Sequence, residues 1–253
     1  MLLTGHPFVS KLSRLMDVTG GAIDSLEAIM EREGTAAKRH DLIVHGAEHH
    51  DLCFVRSGYA IRYRLLRSGK RQILNVIVPG DVIGFPVSFF DRSAYAIVAV
   101  SKVSYSACPL SSYVRLCYER PQFGLVLTWL AAREAATCAE HIVNLGRRTP
   151  IERLAHFLLE IHDRLLEVGC AERTRFDLPF SQGILADVLG LSVPHLNRVM
   201  QELRAERLIV STSRVLELPD IAGLRRLAQY EPAELAPIPA APTVPHGLVT
   251  ADR

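Results

Sequence analysis

Lysine is nearly absent from this chain. Lys11, Lys38, Lys70 and Lys102 are the only four among 29 basic residues, a bias that function or, the favoured reading, a GC-rich genome would produce. Acidic residues number 27, so the net charge is only +2, which excludes a uniformly basic nucleic-acid coat but leaves room for a local basic face. Long apolar runs are missing too. Charges interrupt every stretch short of the ~20 residues that span a bilayer, so no membrane partner is expected. Met1–Ser10 lacks a basic segment followed by an apolar one, which argues against a secretory signal. Cysteine is sparse: Cys53, Cys108, Cys117, Cys138 and Cys170 are odd in number and never spaced C-x-x-C. That spacing excludes a disulfide framework and a zinc knuckle, and a cytoplasmic chain with reduced thiols is expected. Gly-x-Ser-x-Gly and Gly-x-x-x-x-Gly-Lys are both absent, as are paired catalytic carboxylates. No nucleophile elbow or phosphate loop can form, so an enzyme is not expected.

What remains is a globular composition: 49% hydrophobic and 22% charged over 253 residues, enough for one large domain or two ordinary ones. Four textures follow one another. Phe8-Val9-x-x-Leu12-x-x-Leu15-Met16 and Ile23-x-x-Leu26-x-x-Ile29-Met30 carry helical spacing. From Asp41 to about Ser112 the period drops to two. Short runs at 42–44, 51–55, 59–66, 72–78, 95–100 and 103–107 are separated by turn signals such as Ser57-Gly58 and Pro79-Gly80-Asp81. Such spacing predicts an antiparallel sandwich or jelly roll. Arg62-x-Arg64 alternates with Ile61, Tyr63 and Leu65, which predicts a strand with one wet face.

Helical period returns at 111–168. The stripe Phe123, Leu127, Leu130, Glu134, Cys138, Ile142, Leu145 steps by three and four, and a helix this long is expected to bury it on a second copy of the chain. Docking on its own sheet is the competing reading. Gly146 marks a hinge, after which Thr149 caps a second helix with Pro150 in its first turn. Five prolines between Glu231 and Pro245 predict a disordered tail over 231–253.

The most informative segment is Asp177 to Arg204. Ser181 is a helix N-cap, and Ile184, Leu185, Val188 and Leu189 form one apolar face. Gly190 breaks the helix, Ser192 caps again, and Pro194 sits in the next first turn. The second helix buries Leu196, Val199, Met200 and Leu203 and presents His195, Asn197, Arg198 and Gln201. Two short helices across a tight glycine turn make a helix-turn-helix. Leu208-Ile209-Val210 and Val215 to Leu218 flank a polar turn and read as a two-stranded wing.

Ser181-Gln182, Ala186-x-x-Leu189-Gly190-Leu191-Ser192 and Asn197-Arg198-x-Met200 follow Gly46, Gly58, Gly69 and Pro79-Gly80-Asp81-x-x-Gly84 in order. This pattern resembles the cyclic-AMP receptor protein / fumarate–nitrate regulator superfamily of bacterial transcription factors, over nearly the whole chain. The resemblance implies an α+β fold: an N-terminal antiparallel β-roll of the cyclic-nucleotide-binding jelly-roll type with leading helices (1–112), a long dimerisation helix (113–146) and a C-terminal winged helix-turn-helix (147–230). It implies a homodimer that binds double-stranded DNA and works with RNA polymerase. Ser181, Gln182, Ser192, His195, Asn197, Arg198 and Gln201 are the expected DNA contacts. Phe123, Leu127, Leu130, Cys138 and Ile142 are the expected dimer interface. Where family members commonly carry Arg-Glu after the capping serine, this chain has Val193-Pro194. Arg198 occupies the place of the usual guanine reader, and an asparagine such as Asn197 suits adenine.

The signal is less legible. Gly84, Phe85, Arg92 and Ser93 are the candidate effector pocket. A cyclic-nucleotide pocket of this family needs a glutamate for the ribose, and Phe85-Pro86 stands there instead, so cyclic AMP is not expected. No cysteine precedes Cys53, so the converging thiolates of an iron–sulfur sensor are missing. His40, His45, His49 and His50 cluster near Glu48, which leaves a cupin-like metal protein as a rival, but H-x-H spacing is lacking and no metal is expected. A cyclic-nucleotide-responsive regulator is the other alternative.

Overall fold

The structure, a computed structural model, describes residues 5–16, 21–30, 32–212 and 214–232. The expected tail beyond Pro232 lies outside them. Two helices lead: α1 (Pro7–Leu15), whose Phe8 N–H donates to His6 Nδ1 at 3.1 Å, and α2 (Ala22–Ile29). Eight strands follow: β1 (Arg32–Ala36), β2 (Asp41–Ile43), β3 (Asp51–Ser57), β4 (Ala60–Leu65), β5 (Arg71–Ile77), β6 (Val82–Ile83), β7 (Ala96–Ala99) and β8 (Val103–Pro109). They form two antiparallel four-stranded sheets, ordered β1-β8-β3-β6 and β2-β7-β4-β5. Ile43, Val55, Ile77, Ile83, Ile97 and Val103 fill the space between the sheets. The expected roll is there.

Two of its strands escaped the sequence pattern. β6 is only two residues long. β1 (Arg-Glu-Gly-Thr-Ala) is polar and pairs with β8 at the edge of its sheet. Its Gly34 lies under the Tyr105 ring, where an added Cβ would come within 2.4 Å of the ring carbon. A close aromatic approach therefore requires glycine there.

After the roll come α3 (Leu110–Glu119) and α4 (Gln122–Gly146), then α5 (Pro150–Glu167), which begins with a capping box. Glu152 accepts from the Thr149 N–H at 2.7 Å, and Thr149 Oγ1 accepts from the Glu152 N–H at 3.5 Å. The stripe expected to face a second chain divides. Phe123 is only 1% exposed and sits with Phe8, Leu12, Leu26, Phe54 and Tyr113 in the chain's own core, with Leu127 and Leu130 packed against that cluster. Cys138 and Ile142 are exposed. The reason is local: α4 starts beside α1, α2 and α3, which cover its first turns and leave its last ones open.

β9 (Arg175–Asp177), α6 (Gln182–Leu189), α7 (Val193–Ala205), β10 (Val210–Thr212), β11 (Val215–Glu217) and α8 (Ile221–Ala228) complete the described chain. The wing has a third strand that sequence reading did not anticipate, because β9 pairs with β11. One apolar cluster joins Tyr59, Ile61 and Val76 of the roll to Leu154, Phe157 and Leu189 of the C-terminal unit. Each such side chain, when fully buried, contributes ~1.5–3 kcal/mol, so the two halves share a substantial core.

Candidate nucleic-acid interface

Local signals build the helix-turn-helix. Ser181 Oγ accepts from the Ile184 N–H and Ser192 Oγ from the His195 N–H, both at 3.4 Å. Gly190 ends α6 with φ 64°, the left-handed conformation that glycine adopts without strain. Leu185, Ala186 and Leu189 of α6 and Leu196, Val199 and Leu203 of α7 are buried, which pins the inner faces of both helices. Met200 is half-buried.

The outer face of α7 presents Arg198 and Gln201, with Val193 and Pro194 at its start. Ser181, Gln182 and Ser192 are exposed beside it. His195 and Asn197 are half-buried instead of free. Asn197 Nδ2 donates to Gln182 Oε1 at 3.4 Å, which ties α7 to α6. Arg204 was not singled out from the sequence; its Nη2 donates to Ser211 Oγ at 2.6 Å and fastens α7 to the wing. Arg207 and Arg214 are exposed nearby. Their signal was arginine at a helix end and in a wing turn.

The roll touches this unit directly. Arg71 at the start of β5 is ion-paired with Asp187 on α6, its Nε 3.0 Å from the carboxylate, and its guanidinium lies 5.6 Å from the Tyr63 ring. Deeper, Asp81 of the roll binds Lys11 Nζ at 2.9 Å and Arg164 Nη2 at 2.5 Å. Burial pushes the Asp81 carboxyl up, but Arg164 and Lys11 overcome it and hold the group well below the usual carboxylate range. Glu160 accepts from Arg164 at 3.0 Å and pairs with His141 at 2.8 Å. Burial opposes its charge as well, yet His141 and Arg164 bring its pKa down to about 2. Burial lowers the His141 pKa, and the Glu160 bond and charge reverse the balance, so it stands above the ordinary imidazole value. These charges link α1, the roll, α4 and α5.

The space between the roll and α4 is small, about 60 Å³, against ~300 Å³ upward for ligand pockets. Arg62 fills it. Expected on a wet strand face, Arg62 is 5% exposed: it pairs with Glu134 of α4, lies over the Tyr95 ring at 4.5 Å and points Nη2 at the Phe85 carbonyl at 3.5 Å. α4 covers that face of β4, and Glu134 makes the burial tolerable. Of the candidate effector residues, Phe85 lines this space. Gly84 packs on the Asp51 carbonyl, Ser93 Oγ donates to the Tyr95 carbonyl at 2.6 Å, and Arg92 is exposed with Nη1 on the Gly46 carbonyl at 3.0 Å. The four make separate contacts. His45 and His49 fall in the loop between β2 and β3, not on a strand, and no three metal-ligating groups converge among the described residues. Among these residues no helix is long and apolar enough to cross a membrane.

Known proteins share this architecture. A model of the cyclic nucleotide-binding domain matches residues 35–119, and one of the Crp-like helix-turn-helix domain matches residues 152–227. The nitrogen fixation regulation protein FixK of Bradyrhizobium diazoefficiens is 35% identical over 69% of this chain and 72% of its own length. The transcriptional activator protein Anr of Pseudomonas aeruginosa is 26% identical over 84% of this chain and 87% of its own. The structure of FixK2 from Bradyrhizobium japonicum superposes with a TM-score of 0.70 at 26% identity, covering 83% of this chain and 98% of that one. With a roll, a long helix and a capped helix-turn-helix in one order, the chain belongs to the Crp/Fnr family and is a DNA-binding transcription regulator, not an enzyme.

Proposed function

We propose that the chain acts as a homodimer that places α7 of each protomer in successive major grooves and reads bases with Arg198. The observation that carries this reading is the asymmetry of α7: one face is anchored by Leu196, Val199 and Leu203, and the other leaves Arg198 and Gln201 open. Arg198 forks onto the O6 and N7 of guanine, while Arg204, Arg207 and Arg214 supply phosphate contacts. Gln182, Asn197 and His195 stand close enough to complete the reading surface, with Ser181 and Ser192 fixing both helix starts.

The dimer seam runs along the outer face of α4. Leu125, Thr128, Ala132, Ala135, Ala139 and Ile142 are all exposed and step by three and four, the spacing of a coiled-coil seam. Ile142 keeps its expected place and Cys138 lies at the rim, while Phe123, Leu127 and Leu130 serve the intrachain core. A signal acts by shifting how the two α4 helices pack, which resets the spacing of the two α7 helices. Double-stranded DNA as partner sets the work in the cytoplasm, and regulation of a promoter makes RNA polymerase the next partner.

Selection from a pool of random duplexes tests this reading. Enriched sites should be two-fold symmetric, with half-sites about 34–36 Å apart and a guanine in each. Enrichment of single, asymmetric half-sites would refute the paired arrangement.

A further inference from the structure

The unit that binds DNA is short of positive charge. Residues 147–230 hold twelve arginines and no lysine against eleven acidic residues. Several of those arginines are engaged within the fold: Arg148 on Glu140, Arg164 on Asp81 and Glu160, Arg225 on Asp163. Much of a protein's affinity for DNA comes from cations that neutralise phosphates, so a nearly neutral unit gains from cations placed beside it.

The roll has them. Between Asp51 and Asp81 there is no acidic residue, and there are six cations: Arg56, Arg62, Arg64, Arg67, Lys70 and Arg71. Three are matched by carboxylates of other elements, Arg56 by Glu33, Arg62 by Glu134 and Arg71 by Asp187. Arg64, Arg67 and Lys70 are left, all exposed, at the turn that joins β4 to β5. Their side chains make no hydrogen bond or ion pair among the described residues.

This turn is held beside the DNA-binding unit. β5 packs against α6, and α6 packs against α7. Arg71 fixes the contact through Asp187 of α6, and Tyr63, Leu65, Gly69 and Lys70 share the groove that opens there. In a helix-turn-helix the first helix crosses the phosphate backbone while the second enters the major groove. With α6 standing between it and α7, the turn is placed toward the DNA that flanks a half-site.

We infer that the β4–β5 turn is a second DNA contact, in which Arg67 and Lys70, with Arg64 beside them, pair with phosphates outside each half-site. Such contacts add affinity and fix orientation without reading sequence. The inference rests on the placement of α7 in the groove proposed above, and not on the role of Arg198. Leu65 and Leu66 are exposed on the same turn, so an acidic protein surface is the other occupant that this patch would take. Charge and position favour DNA: the turn carries cations alone, and the unit beside it is the one that lacks them.

Two duplexes of the selected operator isolate this contact. One ends at the outer edges of the half-sites, and the other continues for about 15 base pairs, or ~50 Å, on each side. Full-length wild type should bind the long duplex about ten-fold more tightly at moderate salt. Its salt dependence should also be steeper there, because two contacts in each of two protomers add roughly 3 to 4 to the slope of log affinity against log salt concentration. Arg67→Gln with Lys70→Gln should remove both differences and leave the short duplex and the urea midpoint as they were. Arg198→Ala is the control: it should weaken both duplexes and keep the advantage of the long one, so a failure of base readout and a failure of this contact look different. Equal affinity and slope of wild type on the two duplexes would overturn the inference without any variant. So would a double variant that weakens both duplexes equally or keeps the advantage of the long one; if it keeps that advantage yet loses promoter activity, the turn belongs to an acidic protein partner.

Discussion

Arg62 is the residue where local pattern and tertiary context disagree most. Alternation along β4 assigns it to water, yet both faces of the strand are covered: Ile61 is 0% exposed on one side and Arg62 5% on the other. Its partner Glu134 lies 72 residues away, a distance that no window of sequence spans. Removing one member strands the other in a poorly solvated place. Arg62→Met and Glu134→Gln should each lower stability by ~2–4 kcal/mol, with Arg62→Met nearer the low end because the Glu134 that it strands keeps some water contact. The double variant should cost less than the sum, with a coupling of ~0.5–3 kcal/mol. Urea unfolding of the four proteins measures this, and strict additivity would mean that the pair does not act as a unit. The exposed face of α7 was easier to find. Leu196, Val199 and Leu203 mark the inner face of α7 by spacing alone, so Arg198 and Gln201 had to point outward. That Asn197 leans on Gln182 was not legible, because it depends on how α6 and α7 cross.

At the scale of elements, α4 carries two stripes. The inward one, with Phe123, Val126, Leu130 and Glu134, has large apolar residues and is visible in the sequence. Half of the outward one is alanine, whose small side chain barely contrasts with its neighbours. Hydrophobic spacing therefore identified the helix but not that Phe123, Leu127 and Leu130 pack in the chain's own core, because it cannot say which partner covers a face. Small residues suit close helix approach, so the outward stripe makes a specific prediction. Ala135→Lys with Ile142→Lys places four unpaired charges on an apolar seam and should convert a sedimenting dimer into a folded monomer. A variant that remains dimeric would move the interface elsewhere. Short strands were missed for a related reason. β1, β6 and β9 acquire their pairing from β8, β3 and β11, and a run of two to five residues carries no period of its own. The long-period features (α1, α5, α6, α7 and the central roll strands) were all readable, since caps and alternation act within a few residues.

The whole molecule is wired more tightly than a chain of separable domains. Arg71 on Asp187, Arg164 on Asp81 and a shared apolar cluster hold the DNA-binding unit against the roll of the same chain. Any signal that reorients α7 must act against these contacts, and the charges around Asp81 and Glu160 are where α1, the roll, α4 and α5 meet. All of this serves one claim: that Arg198, displayed by α7, reads sequence in each half of a symmetric site. Wild type and Arg198→Ala should be titrated onto the selected operator and onto a scrambled duplex at one fixed salt concentration. The expected loss is ~1–3 kcal/mol per half-site, incurred twice, so operator affinity falls on the order of a hundred-fold or more. Affinity for scrambled DNA falls far less, because phosphate contacts dominate it. Equal losses on both duplexes, or no loss on either, would contradict the account.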